Sequence, residues 1–571
     1  MMKVINRMDR CFVLALGLLI LVANPGIYGE AESKLVPAVS PSISPSIFTS
    51  VLSSGWYEQT KPALEQQLKE NFDIAARFFD VAVASSTIRA IIAPHAGYGF
   101  SGIAAAAAYY PLFDDKIKRT KNTYIKRVIV LAPSHHVAFA GVAIPDFTVY
   151  RTVLGDITVD GEAILTLKRA LALFKVIPGL YAAEHSLEVQ LPFLQSTVAD
   201  FKLIPLIIGE MTGASIKEVA NVLFAQKGLL GASTLVVVSS DFVHQGPSYG
   251  YQPVKKHILD GIRQIDSQVV RAVAAQDLNQ FNEVIQRTGA TVCGQGPLRL
   301  LLALLNQGAL GRQLESRLEP HLESWLACYY TSAQRERTRG GMNQDINVNV
   351  LMGDCPDAEA QNSVSYVSMI FTTPQRVSLP LIDRLTAYEK RALLKLARTS
   401  ITNEFVVTDA KKTSELLLPL ASEGLMMPAG AFVTLTTKTL NTAGDLRGCI
   451  GRITTHEPLF LTVQKVAREA AFSDSRFSPV RAKELSAIAI DISVLEQPVK
   501  VASWKDIVIG KHGILLSKGF SQAVFLPQVA TEQGWDLKTT LQHLSVKAGL
   551  ERDAWQKDAT FQVFEGCEFK E

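Results

Sequence analysis

The sequence predicts two domains: an α/β domain with a mostly parallel sheet covered by helices on both faces, then a smaller α+β domain. Three observations carry this. First, the apolar runs TIRAIIAP, KRVIVLAP, FKLIPLIIG and TLVVVSS alternate with helix-like stretches such as 160–174 and 185–198. Strands buried on both faces read as continuous apolar runs, and their alternation with helices is the mark of a parallel sheet. Second, a polar stretch at about 331–362 interrupts the pattern before one more strand-like run, VSYVSMIF, and a short linker at 376–382 follows. Third, the chain resumes with the helix-like DRLTAYEKRALLKLARTSI and then β-rich segments, AFVTLTT, AIAIDISVL and AVFLP, set among glycine turns.

The remaining length is explained at the amino terminus. Lys3, Arg7 and Arg10 precede CFVLALGLLILVA at 11–23, the form of a secretory signal with a basic region before a short apolar one. The run is shorter than the roughly 20 residues a spanning helix wants, and Gly29-Glu30-Ala31 offers a cleavage site. Residues 1–33 therefore read as a signal peptide or amino-terminal anchor, and the Pro/Ser-rich 34–50 as a tether. The first domain spans 51–375, with folding expected to begin near Trp56, and the second spans 383–571. The expected location is exported, periplasmic or anchored facing outside the cytoplasm, with membrane contact only through an uncleaved amino-terminal segment.

Composition excludes several classes. Lys+Arg 57 against Asp+Glu 54, without a dense basic run, argues against a nucleic-acid partner. At 48% hydrophobic residues the chain is not globally disordered. The six cysteines lie far apart and read as thiols rather than a disulfide framework.

In open α/β sheets ligands sit beyond the carboxyl ends of the strands, and there this chain is rich in metal-type ligands. His95 follows the first run, Ser134, His135 and His136 follow the second, and Asp241 and His244 follow TLVVVSS. Glu184-His185-Ser186-Leu187-Glu188 is expected to open a helix with His185 and Glu188 on one face. Five of the ten histidines thus fall at strand ends or a helix start. Gly97, Gly99 and Gly102 are placed to let backbone approach a bound group. Cys293, in ATVCGQGP, reads either as buried helix-start packing or as a thiolate joining the histidines. Two histidines with a carboxylate suit ferrous iron, while imidazole with thiolate suits copper or zinc.

These motifs resemble the Memo family: GWY at 55–57, IIAPHAGYGFSG at 91–102, LAPSHH at 131–136, EHSLEVQLPF at 184–193, SSDFVH at 239–244 and TVCGQGP at 291–297. The resemblance implies a fold similar to the class III extradiol dioxygenases and a metal held by His95, His135 and Cys293, with iron or copper as the ion and zinc as a further option. His185, His244 and Asp241 would line the same pocket as catalytic candidates, the two imidazoles as acid or base. Cys293 stands where the extradiol enzymes use a glutamate, which turns expectation from ring cleavage toward another oxidation. A non-catalytic scaffold gripping a peptide or small molecule, and a zinc hydrolase, are the competing functions.

In the second domain DLRGCIGRI at 445–453 places Arg447 and Arg452 around Gly448-Cys449-Ile450-Gly451. The glycines would leave room for an anion or substrate near Cys449, a nucleophile with arginines beside it, or Cys449 is a buried cysteine in a strand turn. REAAFSDSRFSPV at 468–480 adds Arg468, Asp474 and Arg476. Together these segments resemble the AMMECR family, with Arg447 and Cys449 in its signature. The fusion resembles the AmmeMemoRadiSam system type, which implies a radical S-adenosylmethionine protein as partner in a modification pathway and a small-molecule or peptide substrate.

Overall fold

The computed structural model describes residues 46–76, 83–307, 322–336, 355–373, 387–405, 427–437, 444–455 and 457–571, with Ile382, Leu385 and Leu425. The signal-like segment, the tether up to residue 45, most of the 331–362 stretch and nearly all of the linker lie outside the described residues. Among the described residues no helix is long and apolar enough to cross a membrane.

The described strands, in chain order, are β1 (Ile47–Thr49), β2 (Ile88–Ala93), β3 (Arg127–Pro133), β4 (Val142–Ala143), β5 (Val149–Thr152), β6 (Gly155–Thr158), β7 (Phe174–Lys175), β8 (Lys202–Ile208), β9 (Thr234–Ser239), β10 (His244–Gln245), β11 (Glu323–Thr331) and β12 (Ser363–Thr372). The main sheet runs β10-β12-β2-β9-β3-β8-β4-β7, with β11 also on β12. Its four central strands, β2, β9, β3 and β8, are parallel, as the four apolar runs predict. The flanks differ: β12 joins β2, β11 joins β12 and β4 joins β8, all antiparallel. β2, β9 and β12 are buried at every position, which requires cover on both faces. One helical group, Lys61–Ala75, Tyr98–Tyr109 and Leu191–Thr197, packs around the β2 and β12 side, and another, with Gln295–Asn306 against β3 and β9, includes Gly213–Ala225 and Leu278–Thr288. A single apolar core extends from Tyr57 to Phe371.

Two expectations need correction. The last residues of the tether are folded: β1 pairs in parallel with β5, Ile47 opposite Val149. Ser50, Val51, Leu52 and Tyr57 then gather on the carboxylate of Glu188. Second, Glu184–Glu188 does not open an α-helix. The helix Leu180–Ala183 ends before it, and Glu188 starts a 3-10 turn, Glu188–Gln190. Glu188 is therefore not on a shared face with His185 at the site.

The second domain has two separate sheets. β13 (Gly430–Thr437), β14 (Leu446–Arg452), β15 (Ile488–Leu495) and β20 (Gly566–Lys570) form an antiparallel sheet in the order β14-β13-β15-β20. The helices Ala387–Thr402 and Leu459–Phe472 pack on it, so the α+β expectation matches. β16 (Val499–Lys500), β17 (Gly513–Lys518), β18 (Ser521–Phe525) and β19 (Thr560–Phe564) make a second small sheet beside the helix Leu537–Lys547, around a core of its own.

Candidate functional site

The parallel strands deliver their following residues to one rim. His95 comes two residues after β2, His135 two after β3, and Asp241 two after β9. His185 follows the short helix Leu180–Ala183. One nitrogen from each of His95, His135 and His185 lies within 4.8 Å of the others, close enough for a shared metal ion. The His95 and His135 rings meet edge to face at 5.1 Å, and the His135 and His185 rings stack at 4.7 Å.

The hydrogen bonds decide which nitrogens face inward. Ser239 Oγ donates its proton to Ser186 O at 2.6 Å, so at 2.8 Å it accepts from His95 Nδ1–H. His135 Nδ1 donates to Glu184 Oε1 at 2.9 Å. His244 Nδ1 donates to the carbonyls of Phe242 and Thr291 at 2.8 and 3.0 Å. With the proton fixed on Nδ1, each ring presents its Nε2 lone pair, the arrangement that outer hydrogen-bond partners impose on metal-binding histidines.

Cys293 joins this group. Its Sγ lies 3.0 Å from His95 Nε2 and accepts from Asp241 N at 3.2 Å. The cysteine loop is stitched to the loop after β9: Gly294 N donates to Ser240 Oγ, and the hydroxyl of Thr291 donates to His244 O. A Cβ on Gly294 would lie 2.3 Å from Ser240 Cβ, so glycine is what allows this approach. Burial, then the nearby Asp241 carboxylate, push the thiol well above its usual range, so it is a protonated donor toward His95 until a cation replaces that proton.

Burial also keeps the rings of His95 and His185 neutral. His95 is held well below its ordinary value by burial and by His135, His185 and His244; burial is likewise the main cause that lowers His185 to about 4. Burial opposes ionisation of Glu184, but hydrogen bonds from the His135 ring and from backbone amides hold it to about 2, so it is an anion beside the neutral His185 ring. Trp56 covers the cluster, stacked on His185 at 4.2 Å, and its carbonyl accepts from Tyr98 N at 2.7 Å.

The remaining residues separate by role. Asp241 Oδ1 accepts from His95 N at 2.7 Å, so this carboxylate holds the backbone that carries His95. His136 lies further out, 6.0 Å from the His185 ring, and is exposed. A Cβ on Gly97 or Gly102 would meet Gly55 O or the Asn71 side chain, so the space these glycines leave is taken by the protein itself. Glu184 is the residue the sequence reasoning missed; its signal was adjacency, since it lies next to His185.

In the second domain the arginines have partners. Arg447 pairs with Glu484 at 3.0 Å, Arg452 with Glu469 at 2.8 Å, Arg468 with Glu404, and Arg476 grips Asp474 through two bonds. Cys449 N donates to Asp474 Oδ2 at 2.8 Å, and its Sγ accepts from Thr434 Oγ1 at 3.3 Å. A Cβ on Gly448 would sit 2.1 Å from Ala470 O, and one on Gly451 2.2 Å from the Phe432 ring. The glycines let β14 press against its neighbours; they do not open a cavity, contrary to the expectation of space for an anion. Cys293, Cys328 and Cys449 are free thiols.

The rim of the α/β sheet thus brings three imidazoles and a thiol together as a possible metal site, in a chain that continues into an α+β domain. Comparison with known proteins gives the family. Residues 51–323 match the Memo-like protein family and residues 394–569 match AMMECR1; the chain carries a Memo-like domain and an AMMECR1 domain. It is similar to the protein memo-1 homolog of Caenorhabditis elegans, 29% identical over 50% of this chain and 77% of that one. Protein MEMO1 of Homo sapiens is 29% identical over 45% of this chain and 83% of its own length. Protein Mbar_A1807 of Methanosarcina barkeri is 39% identical over 33% of this chain and 92% of its own. The crystal structure of an uncharacterized protein, PH0010, from Pyrococcus horikoshii shares 32% identity over 31% of this chain and 89% of that chain, with a TM-score of 0.27.

Proposed function

We propose that the first domain is a metal-dependent oxidoreductase whose ion is held by His95, His135 and Cys293, with His185 as a further donor. The observation that carries this reading is the convergence of imidazole nitrogens whose Nδ1 partners turn Nε2 inward, beside a thiol 3.0 Å from one of them. The donor set fits such an ion: borderline nitrogens with a soft sulfur suit copper, iron or zinc, and a set of donors without a carboxylate oxygen argues against a hard cation. A copper or iron ion bound there would supply one-electron chemistry toward a small-molecule or peptide substrate. The chain's own residues do the rest. Ser239 and Glu184 hold His95 and His135, and Asp241 holds the backbone of His95. Trp56 covers His185 and limits water. His244 offers Nε2 as a base, with its Nδ1 proton anchored on two carbonyls.

The second domain acts as an accessory, and a radical S-adenosylmethionine protein is the proposed partner in a modification pathway. The fused AMMECR1 domain supports a shared pathway, since fusion raises the effective concentration of one domain at the other. Export through residues 1–33 remains part of the proposal on sequence grounds. Elemental analysis of full-length protein purified without chelator tests the centre: near-stoichiometric iron, copper or zinc is expected, and loss of it in His95→Ala. Protein that holds none, and takes up none on titration, overturns the reading. Oxygen consumption with bound copper or iron separates an oxidoreductase from a hydrolase or scaffold.

A further inference from the structure

We infer that Glu184 is the positioning residue of the histidine cluster: one buried carboxylate that fixes His135 as a rigid arm and leaves His185 as an adjustable one. The inference rests on the metal reading above for its affinity arm alone.

Glu184 is 1% exposed. A carboxylate so deeply placed needs hydrogen-bond donors around it, and its donors are the site itself. Oε2 accepts from His135 N at 2.6 Å, and Oε1 accepts from His135 Nδ1 at 2.9 Å and from Ser186 N at 2.9 Å. Two of these three bonds reach a single residue, one from its ring and one from its backbone. Position and ring rotation of His135 are set together.

His185 is held differently. Its Nδ1 lies 3.4 Å from the same Oε1 but makes no hydrogen bond, although it is buried. That oxygen already serves His135 and Ser186. What holds the His185 ring is stacking, Trp56 at 4.2 Å and His135 at 4.7 Å. Stacking fixes the plane of a ring but not which nitrogen carries the proton, whereas a charge-assisted hydrogen bond fixes both. The rings 49 and 1 residues away from Glu184 in sequence are thus bound to one carboxylate with unequal freedom.

The test uses the full chain, labelled with ¹⁵N-histidine and treated with chelator, in which ring nitrogen shifts report each tautomer. Wild type is expected to show His135 protonated on Nδ1. Glu184→Leu should move His135 to the other tautomer or a mixture, and Glu184→Gln, whose amide oxygen still accepts, should keep it. Titration with cobalt(II), followed by its visible absorption, should show a 10–100-fold loss of affinity for the leucine variant and a smaller one for the glutamine variant. Circular dichroism checks folding; if Glu184→Leu does not fold, the glutamine variant decides through its cobalt affinity, and a value equal to wild type overturns the inference. A folded leucine variant with an unchanged His135 tautomer overturns it too. If wild type takes up no cobalt while the tautomer shifts as described, the metal reading fails and the positioning role stands.

Discussion

Two cysteine motifs of the same outward form, ATVCGQGP in the first domain and DLRGCIGRI in the second, meet opposite fates. Around Cys293 the polar groups converge with lone pairs unspent: imidazole Nε2 atoms point inward and the thiol faces one of them. Around Cys449 the charges have been used up, with Arg447 on Glu484, Arg452 on Glu469 and Asp474 clamped by Arg476. Glycines serve closeness in both places, but Gly294 brings a thiol loop to the end of a strand while Gly448 seats a strand under a helix. A cysteine between glycines and arginines is thus weak information until one knows whether its neighbours' charges are already balanced.

The largest expected effect tests the packing half of this contrast. Gly448→Ala drives a methyl into the carbonyl of Ala470, backbone against backbone, and should destabilise the second domain by about 3 kcal/mol; a denaturant melt that shifts by less than a third of that would show the strand is free to move. Next comes the site half. His95→Ala should lower metal affinity more than about 100-fold, since a ligand should matter at least as much as its outer partners, whereas Cys449→Ser should leave metal stoichiometry unchanged. Equal losses in the two variants would erase the distinction between the motifs.

Acid should separate the domains as well. His185, and more strongly His95, bind protons less readily folded than unfolded, so between about 4 and 6.5 the unfolded chain holds more protons. Stability of the metal-free first domain should therefore rise with pH across that window, by up to about 1.4 kcal/mol per pH unit for each ring. Asp474 has the same sense in a lower window: the hydrogen bonds from Arg476 hold it well below the usual carboxylate range, so its contribution is lost only in stronger acid. Urea melts at pH 4.5 and 6.5 check this, and His185→Gln should flatten the slope. The smallest effect is Arg447→Ala, worth under about 1 kcal/mol as expected for a partly exposed ion pair; a larger loss would give that arginine a role beyond its bond to Glu484.

Much of the first domain was legible because its signals are local. The four parallel strands announce themselves as apolar runs, and a ligand that follows a strand end stays at that rim whatever the flanks do, which is why His95, His135, Asp241 and His244 were found. Glu188 was misjudged for a physical reason. The i, i+3 rule that put it on one face with His185 holds inside a helix, and the chain leaves its helix at Ala183 and re-enters as a 3-10 turn at Glu188. β1 escaped because its partner, Val149–Thr152, lies about a hundred residues along the chain, and a three-residue strand has no periodicity to read. The paired arginines of the second domain were unreadable since Glu484 and Glu469 stand 37 and 17 residues from their partners.

Glu188, expected to share a helix face with His185, ties the start of the folded chain to the domain. Five donors from Ser50, Val51, Leu52, Tyr57 and Tyr150 end on this one carboxylate, and Trp56 sits next to Tyr57 in that fastening. The ring that covers His185 is therefore moored, through its neighbour Tyr57, to a fully buried carboxylate. A chain trimmed to start at residue 46 keeps the mooring whole, while one trimmed to start at 53 loses three of its lines and loosens that ring, so the stretch leading into the domain is as much a wall of the pocket as any strand.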